Sequence, residues 1–130
     1  MANALYPIFK QRLLDKALDL DTDTIKAILV DAADYTYSSA HDDLADVTVG
    51  GIVSTATLAS LTIALGVFDS ADFTFTAVTG DQCENIILYD DTHASDALIE
   101  FIDTGMTGMP VTPNGGDINV AVHASGWFSL

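Results

Sequence analysis

The chain has 130 residues, of which 19 are Asp or Glu and only four are Lys or Arg, giving a formal net charge of −15. Nucleic acids and anionic membranes repel a surface of this charge, so both are disfavoured as partners. The length fits one domain with its own core, and a hydrophobic content of 49% is too high for an intrinsically disordered protein.

The N-terminal segment contains all the fixed cations of the chain. Four Asp side chains in the same 26 residues balance Lys10, Arg12, Lys16 and Lys26, so the whole net charge belongs to residues 27–130. We expect no secretory signal, because cations interrupt the N-terminal apolar residues early. Such an acidic body favours a protein that stays soluble and meets one specific partner, and it also occurs in proteins from high-salt habitats.

Residues 4–18 have the periodicity of an amphipathic helix. Tyr6, Phe9, Leu13 and Ala17 fall on one face, which Leu14 and Leu18 widen, while Gln11, Arg12, Asp15, Lys16 and Asp19 occupy the opposite arc. Asn3 is the expected N-cap, and Pro7 fits only in the first turn. We expect this helix to pack on the core; a free helix that binds a partner is the alternative.

The rest of the chain reads as short β-strands separated by turns. The first predicted strand covers residues 25–30, and residues 31–51 are irregular with a short helical turn at 41–45. Further strands are predicted at 60–65, 73–78, 85–90, 97–102, 118–123 and 126–129. In the strand predicted at 73–78, Phe73 and Phe75 alternate with polar residues and share a face. The pattern predicts a mainly β fold, a small antiparallel β-sandwich or jelly-roll-like barrel with one N-terminal α-helix.

A single domain over residues 1–130 follows, with a helical N-terminal segment at 1–22 and a β-rich body at 23–130. Residues 47–68 lack charge over 22 positions, a length that could cross a bilayer. However, they include six Ser or Thr and three Gly, and the alternation of Leu61, Ile63 and Leu65 indicates a strand. We therefore expect no membrane span.

Acidic residues suggest one weak metal motif. Asp19, Asp21 and Asp23 match the start of a calcium loop, but Thr24 replaces the glycine of its sixth place and Val30 the closing glutamate of its twelfth. The pairs Asp42/Asp43 and Asp90/Asp91 could bind a cation in a folded loop, but adjacent acids are also typical of ordinary surface turns. We expect no metal and no other cofactor.

Catalytic motifs are weaker still. Two tripeptides, residues 93–95 and 123–125, both read His-Ala-Ser, yet neither lies in a nucleophile elbow. Cys83 is the sole cysteine, which excludes an intramolecular disulfide, and it could form a nucleophile pair with His93 only if the fold brought them together. We predict that the protein is not an enzyme.

Two aromatic residues, Trp127 and Phe128, lie near the C-terminus. Such side chains dominate interface hot spots, and they also close terminal strands onto a core. Both interpretations stay open from the sequence.

Six segments in this order resemble a family of small tailed-phage and prophage virion proteins, and the resemblance spans nearly the whole chain. They begin with MANALYP at residues 1–7 and continue at 23–31, 35–41, 66–69, 73–78 and 110–118. Members of that family are mostly uncharacterised structural proteins, and the small β-rich cement or decoration proteins of phage heads look like the nearest functional group. This chain departs from the family in having fewer late cations and a more apolar segment at 54–65.

The resemblance implies a cement protein that binds the outside of the capsid and bridges its subunits, made in the host cytoplasm. The implied partners are the major capsid protein and further copies of this chain, as a dimer or trimer. We expect contacts through Tyr6, Lys10, Arg12, Lys16, Trp127 and Phe128. A tail or head–tail connector protein and a carbohydrate-binding β-sandwich remain alternatives.

Overall fold

A computed structural model describes residues 3–47, 51–106 and 108–130. Among these residues the elements in chain order are β1 (Ala4–Leu5), α1 (Pro7–Leu14), β2 (Ile25–Val30), a 3-10 turn (Leu44–Asp46), β3 (Ile52–Thr57), β4 (Thr62–Ala64), β5 (Val67–Asp69), β6 (Phe73–Phe75), β7 (Asn85–Asp90), β8 (Ala97–Ile102), β9 (Ile118–Val120) and β10 (Phe128–Ser129). The predicted mainly β fold with one helix is confirmed.

The largest sheet has the strand order β1–β8–β7–β2–β3, with every neighbouring pair antiparallel. β7 and β8 are buried at every residue, and β2 at every residue except the half-buried Lys26. Both faces of the sheet are covered at these three strands, and this explains why their sequences are nearly continuous apolar runs.

One face of this sheet is covered by the irregular segment that follows β2. Ile28 pairs with Ile87, which pairs with Phe101, so the three side chains share a face. The rings of Tyr35 and Tyr37 lie 6.2 and 5.4 Å from the Phe101 ring. The segment that looked irregular in the sequence is therefore part of the core.

The opposite face carries Ala27, Leu88 and Glu100 in register. Two smaller sheets, ordered β10–β5–β4 and β6–β9, form the second layer. The ring of Phe128 links the layers to α1, because it contacts both Phe9 and Phe68. In the described ranges the sheets do not close into a barrel, so the structure agrees with the β-sandwich rather than the barrel.

The N-terminal helix is shorter than the predicted 4–18. Ala4 and Leu5 form β1 with β8, so the helix begins only at Pro7, in the first turn where proline is tolerated. The prediction that Asn3 is the N-cap of this helix is wrong, because Tyr6 occupies that position and makes no side-chain cap hydrogen bond. The Asn3 side chain instead joins the end of β8, where its Oδ1 accepts the Asp103 and Thr104 N–H groups.

The helix ends early because its C-terminus is closed by a Schellman motif. Lys16 has a φ of 59°, the left-handed conformation that ends helices. The Lys16 N–H donates to the Leu13 carbonyl and the Ala17 N–H to the Arg12 carbonyl. Glycine normally takes this position, so its absence hid the helix end from sequence analysis.

The described part of the stretch at 47–68 consists of β3, β4 and the start of β5, joined by turns and irregular residues, and residues 48–50 lie outside the described residues. β3, which the sequence analysis missed, and the predicted but shorter β4 account for much of it. Within the described part of the chain, no helix combines the length and apolar character needed to cross a bilayer.

Candidate interaction surface

An apolar groove lies between the end of α1 and the small sheet β10–β5–β4. Its volume is about 230 Å³. The side chains that give it its apolar character are Leu13, Leu18, Leu20, Ile63, Phe68, Phe128 and Leu130. Leu18, Leu20 and Phe68 are buried, so the floor of the groove is continuous with the core.

Four large apolar side chains are exposed to solvent: Ile63 and Leu130 line the groove, and Leu14 and Leu65 are chain neighbours of the lining residues Leu13 and Gly66. Leu14 is 87% exposed, Leu65 fully exposed, Leu130 67% and Ile63 51%. The rest of the described core buries its large apolar residues, which makes this concentration unusual for a surface of such acidity. We call Leu14, Ile63, Leu65 and Leu130, with the groove beside them, the apolar surface.

The strand that contributes Ile63 is an edge strand. β4 pairs with β5 on one side only, and all three of its residues are exposed. An edge strand offers unpaired backbone N–H and C=O groups, which a second chain can extend. Apolar side chains and an open strand edge thus occur together at this place.

Two of the predicted contact residues, Lys10 and Lys16, are exposed on or just after α1. They therefore belong to the same helical segment as Leu13 and Leu14, which contribute to the apolar surface. Arg12 differs, because it donates to the Asp42 carbonyl oxygen at 2.8 Å and pairs with the Asp43 carboxylate at 3.0 Å. Arg12 thus holds the helix to the loop ahead of the 3-10 turn.

Tyr6 was expected to contact a partner, and the structure corrects that expectation. It is fully buried, and its hydroxyl shares a 2.8 Å hydrogen bond with Tyr35, whose hydroxyl lies 2.8 Å from His41 Nδ1. Burial raises the pKa of Tyr6, so it stays a neutral hydrogen-bonding phenol. It fastens the start of α1 to the loop after β2.

The C-terminal aromatics pack mainly against the protein itself. Trp127 is 8% exposed, stacks near Phe73 and donates its indole N–H to Ser70 Oγ at 2.8 Å. Phe128 is half-buried, and its ring also lines the apolar groove. Of the two, Phe128 is the one placed where a partner can contact it.

The two His-Ala-Ser tripeptides form the same turn. In each, the serine N–H donates to the histidine Nδ1, at 3.2 Å in residues 93–95 and 3.0 Å in residues 123–125. The next residue donates its N–H to the histidine carbonyl and has a positive φ in both cases. Because each histidine Nδ1 accepts a hydrogen bond from the backbone N–H of the serine, the repeated tripeptide is explained by the turn that it forms.

Cys83 is buried, and its thiol donates to the Asp81 carbonyl oxygen at 3.4 Å. Burial is the main cause that raises the pKa of this thiol to about 11, so the reactive thiolate is disfavoured at neutral pH. Its hydrogen-bond partner is thus a backbone carbonyl and not His93.

The acidic motifs noted in the sequence are occupied by local contacts. Asp23 Oδ2 accepts the Asp19 N–H at 3.0 Å, which closes the D-x-D-x-D segment into a turn. Asp43 and Asp91 form ion pairs with Arg12 and Lys26. The segment at 19–23 and Asp43 agree with the interpretation as ordinary turns, whereas Asp90 is a fully buried residue at the end of β7, so that interpretation is wrong for Asp90.

A different acidic group was missed by sequence analysis. Carboxylate oxygens of Asp31, Asp34 and Asp81 lie within 4.8 Å of one another. Asp81 is distant from the other two in the chain, so no local spacing pattern could have shown the group. Acidic surfaces form such groups without a bound ion, and we assign no function to it.

No protein-family model matches this chain, and no curated protein matches it either. The function is therefore argued from the surface.

Proposed function

We propose that this protein is a virion structural protein of a tailed phage, a capsid cement protein that binds the outside of the head and bridges capsid subunits. The observation that carries the proposal is the apolar surface with its open edge strand β4, on a body that is otherwise strongly acidic. The sequence resemblance supplies the phage context.

The physical requirements of a cement protein agree with these features. It must stay soluble before assembly, which a net charge of −15 favours, because copies repel one another. It must then attach through modest contacts that capsid symmetry repeats many times. Burial of the apolar surface against the capsid would contribute favourable free energy, and Lys10 and Lys16 provide positive charge on the neighbouring helical segment.

The proposed partner is the major capsid protein, and self-association as a dimer or trimer on the shell is part of the proposal. β4 is the strand that a second chain would extend. The acidic body, with no Lys or Arg after Lys26, would face away from the packaged genome. In this proposal the protein lies on the exterior of the virion and is made in the host cytoplasm.

The test is sedimentation of purified protein with mature capsids of the encoding phage and with unassembled capsid protein. We expect co-sedimentation with capsids only. The variants Leu14→Gln and Leu65→Asn should reduce binding at least about tenfold, since each removes apolar area of roughly 1.5 kcal/mol or more. Asn suits the φ of 52° at position 65, so the second variant preserves the fold.

The matched control is Thr112→Asn, which changes an exposed residue outside β4 and outside the groove lining without removing a large apolar side chain. It should bind as the wild type does. Virions that contain no copies of this chain, or capsid binding that is insensitive to Leu14 and Leu65, would overturn the proposal.

A further inference from the structure

A second cavity, on another part of the molecule, contains a buried acid without a partner. It has a volume of about 210 Å³, roughly seven times the share of one liquid water molecule. Its lining includes Asn3, Glu100, Thr104, Met106, His123 and Trp127. It therefore lies where the end of β8 meets the segment that leads into β10.

Glu100 is the unusual group in this cavity. It lies within the apolar strand β8 and is 5% exposed, and its Oε2 atom is buried without a hydrogen-bond partner among the described residues. Burial raises the pKa of this carboxyl to about 8. An ionised carboxylate without a partner is energetically unfavourable at a buried site, so Glu100 is mainly protonated at neutral pH. A cation placed next to it would favour the ionised form.

The chain itself supplies no such cation within its described contacts. Arg12 and Lys26 are paired with Asp43 and Asp91. Lys10 and Lys16 are exposed on the helical segment, and no Lys or Arg follows residue 26. Among the described residues no Lys or Arg contacts Glu100, and His123 of the lining uses its Nδ1 atom to accept the Ser125 N–H, so a fixed positive charge facing Glu100 would come from another molecule.

The lining favours an organic cation over a metal ion. Glu100 and His123 are the metal-ligating side chains of the lining, and among described residues no group of three such side chains includes them. Trp127 also lines the cavity, and the face of an indole ring attracts a cation, most often a guanidinium. A planar guanidinium also bonds a carboxylate through two parallel N–H groups.

We propose that this cavity binds the guanidinium group of an arginine side chain from a partner protein, with Glu100 as its anionic acceptor and Trp127 as its flat wall. Binding moves the Glu100 proton to the buffer and leaves a carboxylate facing the guanidinium. The inference goes beyond the cement function, because it names a chemical group and holds for whichever protein carries it.

The experiment uses methylguanidinium chloride as the probe and the Trp127 indole N–H signal in NMR as the reporter, at pH 7. Methylurea, which has nearly the same shape without the charge, is the comparison ligand. We expect saturable binding of methylguanidinium in the millimolar range and at least tenfold weaker binding of methylurea. Calorimetry in phosphate and in Tris should give different heats, because a proton is released.

Variants decide whether Glu100 is the acceptor. Glu100→Gln should weaken methylguanidinium binding at least tenfold. Glu84→Gln makes the same substitution at the only other glutamate, outside this cavity, and should bind as the wild type does. Equal binding by Glu100→Gln and wild type, or equal binding of the two ligands to wild type, would overturn the proposal; the second comparison needs no variant to fold.

Discussion

Burial of the Glu100 carboxyl makes the stability of the folded protein depend on pH. Burial raises the pKa of this group above its ordinary value, to about 8, so the folded state binds the proton more tightly than the unfolded chain. The stabilisation is complete below the unfolded pKa and disappears as pH rises through 8. We expect this group alone to lower the free energy of unfolding by about 3 kcal/mol between pH 5 and pH 8.

Urea denaturation at the two pH values measures the effect, and Glu100→Gln should shrink it and stabilise the protein at pH 8. A decrease with pH should remain in this variant, because burial and the neighbouring Asp23 carboxyl raise the pKa of Asp90 to about 7. An unchanged pH dependence in Glu100→Gln would contradict the raised pKa of Glu100.

In the sequence, Glu100 is the one charged residue of the apolar run ALIEFI. The strand prediction included it without identifying it as a buried acid.

A second residue-scale prediction concerns Gly126, which has a φ of 84° beside the backbone of β5. A Cβ there would lie 2.7 Å from the Phe68 carbonyl oxygen and 2.8 Å from Val67 Cγ1. We expect Gly126→Ala to lower the free energy of unfolding by about 3 kcal/mol, from left-handed strain plus this clash. Gly105→Ala is the control, since its φ is 85° and nothing lies within 4 Å. It should cost only about 1 kcal/mol; equal losses would show that the clash is relieved.

Among the elements, the loop after β2 is held by hydrogen bonds as well as by rings. Tyr35 connects Tyr6 to His41, with both oxygen and nitrogen partners at 2.8 Å. Tyr35→Phe leaves the buried Tyr6 hydroxyl without this partner, so we expect a loss of about 1–3 kcal/mol in thermal or urea unfolding. Tyr37→Phe is the control, because no hydrogen bond of its hydroxyl is found in the described ranges. Similar losses in both variants would contradict the role given to the hydrogen bonds.

Elements were predictable from the sequence where the pattern and the packing had the same cause. β2, β7 and β8 were predicted with the bounds that the structure has, because their apolar runs fill both faces of the central sheet. β3 was missed because it is an edge strand of half-exposed, Ser- and Thr-containing sequence. The strand β1 was hidden inside a helical periodicity that its pairing with β8 overrides.

The candidate site was predictable only in part, since it depends on how distant segments meet. Lys10 and Lys16 are exposed, so a contact through them stays a prediction, whereas burial removes Tyr6 from the contact segment. The groove of the apolar surface joins Leu13 to Ile63 and Leu130, and residues so far apart in the chain have no shared spacing. The Glu100 cavity likewise unites β8 with Trp127 and became visible only in three dimensions.

At the scale of the whole molecule, charge repulsion opposes folding and salt relieves it. The 19 acids face four Lys or Arg, of which Arg12 and Lys26 form the ion pairs seen among described residues. Compact folding brings the acids together, and raising the ionic strength shortens the range of their repulsion to below about 10 Å above 0.1 M. We therefore expect the free energy of unfolding to rise by about 1 kcal/mol or more between 20 and 500 mM NaCl.

Thermal unfolding at pH 7 tests this, and a gain of 1 kcal/mol corresponds to roughly 4 °C. Most of the rise should occur below about 200 mM, where screening changes fastest; a rise only at high salt would indicate salting-out of apolar surface instead. Asp72→Asn, Asp81→Asn and Asp117→Asn combined should reduce the salt dependence, because these exposed carboxylates add to the repulsion. A stability that falls with salt would mean that the ion pairs of Arg12 and Lys26 outweigh the repulsion of the acidic body.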